Sequence, residues 1–387
     1  MEPIDWEMLL DEAKRRELTL LLYDRLQQSE ALSKLPQTVA ERLRNVYLAA
    51  SARNAVMLHH AGQILHTLRS AGIDVIVLKG LYLVESVYRS IGLRTFVDLD
   101  ILVRKGDIPQ ALASMQAIGY KLSTYYHSKD SNTDIKHIPP MTKVNGPYLE
   151  VHWGILEENE PFIINLDDIW QRAVATRSAD VDVLAMCTED LILHLCLHLT
   201  YQHKLRAGIK FLFDIAEVII LRANQIDWQK LISTAKEWKA ERVVWLTLHL
   251  LDQITGVKAP EDVMTHLQPT NLNKQLLDTV LIQLLATETD FGYLTPDMVA
   301  FANEPGTGGK LKRIFQRVFI PRRTMARLYN RNPNSPIIYL YYFVRFYGLY
   351  RIYASPAWRL LRGGKPKQTS FQLEQDSMSL RNWMTEN

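Results

Sequence analysis

The stretch IDVIVLKGLYLVESVYRSIGLRTFVDLDILV, residues 73–103, decides how this chain is read. The apolar run 73–78 predicts a strand, Lys79-Gly80 a tight turn, 81–90 a helix and 97–103 a second strand. Asp98 and Asp100 stand two apart in that second strand, so alternation puts both carboxylates on one face. Strands are depleted in aspartate, and a buried charge needs a partner. A divalent cation is the simplest partner for two converging carboxylates, and a phosphate-bearing substrate suits both the cation and the turn. Where a strand ends and a helix opens, free backbone N–H groups and the positive helix end face whatever sits there, and glycine permits a close approach. Lys79 adds charge for the same anion. Arg94, four residues before Asp98, either reaches that anion or pairs with a nearby acid.

Working outward, the next acid of interest is in YLEVHW, residues 148–153, which predicts a strand with Glu150 and His152 on one face. Further strands are expected at 120–127 and 134–139, and Asp107-Ile108-Pro109 starts a helix with an Asp cap and an early proline. Upstream, helical spacing covers 5–28, and Pro36 opens a long helix over 37–70. From Asp167 on, helices are expected at 167–173, 188–203, 207–223, 227–238, 240–255, 260–266 and 272–286. Residues 363–387 lose periodicity and predict a loose tail. The expected class is α+β, a small mixed β-sheet with helices on one face. The parts expected are an N-terminal helical cap (1–70), the α/β core (71–165), a helical domain (166–304) and a basic, aromatic C-terminal segment with its tail (305–387).

Composition, with 47% hydrophobic and 22% charged residues, excludes wholesale disorder. Two cysteines, Cys187 and Cys196, exclude a disulfide framework or zinc knuckle and fit a reducing cytoplasm. No stretch predicts a transmembrane span; the longest apolar run, 336–350, contains Arg345. Residues 305–368 hold fourteen Lys or Arg and no Asp or Glu, while the first 304 residues are net acidic. That contrast points the segment at an anionic partner or at the chain's own acidic part. Its tyrosines and phenylalanines suit stacking on bases or sugars, or a core.

The order VLKG, helix, LR-x-x-x-DLDILV, then LEVHW, resembles nucleotidyltransferases of the DNA-polymerase-β-like superfamily. More narrowly it resembles a bacterial group described as uncharacterised nucleotidyltransferases, over about residues 5–300. The superfamily's turn is usually Gly-Ser; Lys79-Gly80 departs from it but agrees with the Leu-Lys-Gly turn of the narrower group. The resemblance implies transfer of a nucleoside monophosphate from an NTP such as ATP to an acceptor, with pyrophosphate leaving. It implies Asp98, Asp100 and Glu150 as ligands of Mg²⁺ or Mn²⁺ and as catalytic acids, and Lys79 and Gly80 as phosphate binders, with Arg94 a candidate for the same anion by its position. His198 and His152 are further candidates to line the cleft, and a looser similarity to toxin-type relatives adds Lys204 or Lys210 and Asp214 on the helical side. His194 and His198 are spaced for zinc but lack a third ligand. The acceptor stays open among a sugar phosphate, a small natural product, a peptide and RNA. Two other readings remain: an inactive nucleotide-binding module, and a toxin-like enzyme acting on tRNA.

Overall fold

The computed structural model describes residues 4–123, 136–157, 159–206, 208–271 and 274–285, parts of 308–361, and 368–386. The fold is α+β, as expected. Its strands are β1 (Ile76–Val77), β2 (Asp98–Leu102), β3 (Lys121–Leu122), β4 (Met141–Thr142), β5 (Tyr148–His152), β6 (Val174–Ser178) and β7 (Val181–Ala185). They form one mixed seven-stranded sheet in the order β3-β4-β5-β2-β1-β7-β6. Along β2 the aspartates alternate with Leu99 and Ile101, and along β5 Glu150 and His152 alternate with Leu149 and Val151; these four apolar side chains are fully buried. Two such strands pair in one register only. That register is parallel, with Asp98 opposite Tyr148, Asp100 opposite Glu150 and Leu102 opposite His152.

The hairpin β6–β7 lies inside the stretch assigned above to helices and loops, and β7 pairs in parallel with β1. Its two turn residues, Ala179 and Asp180, have φ of 45° and 64°, the backbone of a type I′ turn. No glycine marks that turn in the sequence, so VATRS and VDVLA carry no hairpin signal of their own. Glu85 supplies what the turn lacks, accepting from the Ala179 N–H at 3.0 Å and from the Ser178 hydroxyl. Of the predicted strand at 134–139, residues 134 and 135 lie outside the described residues, and 136–139 make a single bridge, His137 to His152. Residues 124–127 of the other predicted strand lie outside the described residues.

The helix expected over 5–28 is two helices, α1 (Trp6–Arg15) and α2 (Thr19–Gln28), broken where Glu17 takes a φ of 56°. α3 (Gln37–Ser70) runs 34 residues as predicted and packs on α5 (Ile108–Ala117) and β7. α4 (Lys79–Ser86), between them in sequence, is shorter than predicted and packs on β2 and β6. Next come α6 (Leu166–Arg172), α7 (Thr188–Cys196), α8 (Lys210–Leu221), α9 (Trp228–Glu237), α10 (Glu241–Thr255) and α11 (Glu261–Leu267). α7 runs on as a π turn, Leu197–Gln202, after which Lys204 and Leu205 both adopt left-handed backbone. Asp227 caps α9, accepting from the Lys230 N–H at 3.0 Å.

These elements belong to one compact unit; a second begins at Lys274. It holds α12 (Lys274–Leu285), α13 (Arg322–Leu328), α14 (Ile338–Leu361) and most of α15 (Gln368–Thr385). Ile320, Met325, Ala326 and Ile338 form a small core there, with Tyr341 and Tyr342 packed on it, while Phe343, Phe346, Tyr347 and Tyr350 are exposed. The aromatic segment is thus part core and part surface. The predicted loose tail is instead the helix α15, with Leu373, Ser377 and Leu380 buried. A serine in the middle of that buried stripe hides its periodicity. Among the described residues no helix is long and apolar enough to cross a membrane.

Candidate active site

The site is built on the paired strands β2 and β5 and on the turn after β1. Leu78 donates its backbone N–H to the Asp100 carbonyl at 3.1 Å, which ties the turn to β2. Lys79 follows with a φ of 42°. A non-glycine residue in that region costs about 1–3 kcal/mol, and such strain persists where the surroundings demand it. Here the backbone carries the Lys79 ammonium to 2.9 Å from Asp100 Oδ1. The same oxygen accepts a hydrogen bond from His152 Nε2 at 2.8 Å, and Glu150 Oε2 lies 3.4 Å from that nitrogen. Asp100, Glu150 and His152 each offer one donor atom, all within 4.8 Å of one another. Asp98 stands one pleat earlier on the same face of β2, opposite Tyr148, and is not one of that trio.

The charges are strongly coupled. Burial works against ionised Asp100, but the Lys79 ammonium and the His152 hydrogen bond outweigh it and hold the carboxyl well below the usual range. Burial likewise opposes the charge on Lys79, and the attraction of Asp100 reverses it, raising the ammonium above its ordinary value. Burial pulls Glu150 up, but the His152 hydrogen bond and the attraction of the His152 and His137 imidazoles together outweigh it, so Glu150 ends below the usual value. For Asp98 the balance is reversed: burial and the charge on Asp100 outweigh the attraction of Lys79 and push it up to about 6.

Gly80 is required by packing. A Cβ there would stand 2.6 Å from Phe96 Cβ and 2.8 Å from Arg94 Nη1. Arg94 is committed to Asp214 of α8, with Nε 3.0 Å from Oδ1 and Nη2 2.9 Å from Oδ2. Tyr88 Oη donates to the same carboxylate at 2.8 Å. Of the two sequence alternatives for Arg94, the ion pair is the one formed, and its partner is another of the expected site residues. Lys210 pairs with Glu17, in the break between α1 and α2. His198 is buried, its Nδ1 2.9 Å from Gln202 Oε1, with its ring edge-on to His203 at 4.3 Å. Lys204 is placed by the left-handed backbone after the π turn.

Sequence reasoning missed a second tier. His137 lies edge-on to His152, ring centroids 5.0 Å apart. Next to it, Lys136 is pushed down to about 8 by burial and by the positive charge of Lys79. Burial and Lys79 also hold His194 and His198 well below their usual value and, with Lys136, bring His203 to about 4, so these imidazoles are neutral near pH 7. No motif announces Lys136; the bridge between His137 and His152 and the hydrogen bond from the Trp153 backbone N–H to its carbonyl bring it to the site.

Two carboxylates and an imidazole nitrogen are a donor set a divalent cation can use, provided His152 turns a lone pair rather than a proton toward it. Residues 2–256, a span that contains all of these groups, match the model of a family described as "Uncharacterised nucleotidyltransferase". No curated protein and no solved structure matches the chain. The matched span covers more than half of the sequence and includes the lysine–glycine turn, the aspartate pair and the glutamate that carry the resemblance; the protein belongs to the uncharacterised nucleotidyltransferase family.

Proposed function

We propose that the protein is a divalent-cation-dependent nucleotidyltransferase, moving a nucleoside monophosphate from an NTP to an acceptor oxygen with release of pyrophosphate. The observation that carries this reading is the convergence of Asp100, Glu150 and His152 within 4.8 Å beside the Lys79 ammonium. A Mg²⁺ or Mn²⁺ ion held by these carboxylates supplies charge neutralisation for the triphosphate and for the leaving pyrophosphate.

The remaining steps fall to the chain's own groups. Lys79, poised on a strained turn at the start of α4, exchanges Asp100 for the β- and γ-phosphates. Arg94 and Asp214 act at one remove: their buried pair backs onto Gly80 and fixes the turn. Asp98 widens the acidic face that binds the cation. Glu150, where the acceptor is a hydroxyl, takes the proton as the new oxygen–phosphorus bond forms and the bond from Pα to the pyrophosphate oxygen breaks.

One observation favours a second reading, a nucleotide-binding module without turnover. Lys79 already neutralises the best-buried carboxylate of the site. Purified protein with labelled NTP and Mn²⁺ separates the two when scored for pyrophosphate release and self- or acceptor-labelling. Release that disappears in Asp100→Asn supports transfer. Nucleotide binding that needs no divalent cation and is unchanged in Asp100→Asn would sink both the transfer and the cation site.

A further inference from the structure

Beside the site lies a cavity of about 460 Å³, a size that suits a small metabolite. It opens where the chain leaves β2 and β5, which run parallel and so end on the same side of the sheet. Its walls include Arg104, Lys136, Trp153, Phe162 and Trp170.

Three of these groups are unsatisfied in ways that point to a ligand. Trp153 Nε1 is buried and has no hydrogen-bond partner. An indole N–H left so bears an uncompensated desolvation cost, and such orphans in native folds need an explanation. Lys136 is anchored by its backbone, donating its N–H to Glu157 Oε2 at 3.2 Å and accepting from the Trp153 N–H at 2.9 Å. Among the described residues no carboxylate comes within ion-pair distance of its ammonium, although the side chain is largely buried; the charge of Lys79 opposes its own, and the acids Asp100, Glu157 and Glu150 offset that only in part. Arg104 lies over the Trp170 ring, 4.5 Å from its centroid, and likewise has no acidic partner among the described residues.

The orientation follows from charge. Lys136 adjoins His137, which bridges His152, and its ammonium feels Lys79 and Asp100, so it marks the end of the cavity nearest Asp100, Glu150 and His152. An anion placed there relieves the repulsion between two crowded lysines. The indoles of Trp153 and Trp170 give the lining flat apolar faces, and the Arg104 guanidinium offers further donors. A long polymer would be poorly matched to a cavity of this volume.

We propose that this cavity is the acceptor subsite, and that the acceptor is a small phosphorylated ring compound, a sugar phosphate, with its phosphate at Lys136 and its ring against Trp153 and Trp170. This rests on the nucleotidyltransferase reading for the word acceptor, though not for the binding itself. With such a substrate the attacking atom is a phosphate oxygen. It forms a new P–O–P bond to Pα as the bond from Pα to the pyrophosphate oxygen breaks. A phosphate monoester is largely dianionic at neutral pH, so no proton has to leave the nucleophile.

Calorimetric titration of the full chain tests this with four probes: a panel of hexose 1-phosphates and pentose 5-phosphates, the matching uncharged sugars, inorganic phosphate, and a 12-nucleotide RNA. The expected result is that at least one sugar phosphate binds tenfold or more tightly than its uncharged sugar and than inorganic phosphate. Lys136→Met should weaken it at least tenfold and Trp153→Phe three- to tenfold, both with thermal midpoints near wild type. Titration with Mn²⁺ and a non-hydrolysable NTP, run on the same variants, should be unaltered within twofold. No sugar phosphate bound above inorganic phosphate, or binding indifferent to both substitutions in folded protein, overturns the proposal; so does Lys136-dependent binding of the RNA alone. Failure of the NTP to bind wild-type protein overturns the transferase reading instead and leaves the sugar-phosphate result to stand on its own.

Discussion

Lys79 and Asp100 form a nearly buried ion pair, Nζ to Oδ1 at 2.9 Å, across the point where a cation would bind. The lysine is therefore both a stabiliser of the site and a competitor for its best ligand. Removing one member of a buried pair leaves an uncompensated charge and costs about 3–5 kcal/mol. Lys79→Met should lose stability on that scale in chelator-treated protein, and millimolar Mn²⁺ should restore much of it by supplying the missing charge. Urea denaturation with and without Mn²⁺ measures both. A Lys79→Met protein as stable as wild type in chelator would mean that the pair is not formed in solution.

Asp98 gives a pH signature of the opposite sign. Its folded-state value, raised to about 6 by burial and by Asp100, lies above that of an unfolded aspartate near 3.9. The folded state then holds the proton more tightly, so this contribution is fully present below about pH 4 and is lost as pH rises through about 6. At pH 7 the carboxylate is a liability in cation-free protein. Asp98→Asn should be more stable than wild type there, by about 1–3 kcal/mol, and the gap should close by pH 4. Thermal unfolding of the two proteins in chelator from pH 4 to 7.5 tests this; a gap that does not change with pH would remove the cause assigned to it.

Arg94 and Asp214 should behave as a unit. Asp214→Ala strands a buried guanidinium and should cost about 3–5 kcal/mol, whereas Arg94→Met with Asp214→Leu, which removes both charges, should cost less than either single change. A double-mutant cycle by urea denaturation reads the coupling, and simple additivity would contradict a direct pair. Tyr88→Phe, which removes only the hydroxyl bonded to Asp214, should cost about 1 kcal/mol.

Gly80→Ala should destabilise by about 1–3 kcal/mol, because its methyl meets Phe96 Cβ at 2.6 Å and Arg94 Nη1 at 2.8 Å, so that buried neighbours must shift. If calorimetry of the variant found no loss, the close approach of the turn to Phe96 would be wrong.

What could be read from the sequence was local. Alternation along 97–103 and 147–153 put Asp98 with Asp100 and Glu150 with His152, and the structure keeps both pairs on their strands. Pro36 and Asp227 announced their helix starts correctly. What stayed hidden depends on partners distant in the chain. Arg94 could be seen near the turn, yet nothing in its neighbourhood says that Asp214, 120 residues on, satisfies it. The β6–β7 turn was invisible because Glu85, not a glycine, stabilises it. Lys136 carries no pattern of its own and matters because a bridge between His137 and His152 brings it alongside β5.

The parallel register of β2 and β5 has one more consequence. Leu99 and Ile101 on one strand and Leu149 and Val151 on the other hold that register by being buried. A slip of a single residue would carry Glu150 and His152 to the opposite face of the sheet, away from Asp100. The ligands come from segments about fifty residues apart, so a cation has nothing to bind until this long-range pairing has formed. Metal affinity is then a reporter of strand assembly: a refolding chain should acquire it late, and a substitution at Leu149 or Ile101 would register first as lost ion binding, before the helices around the sheet had melted.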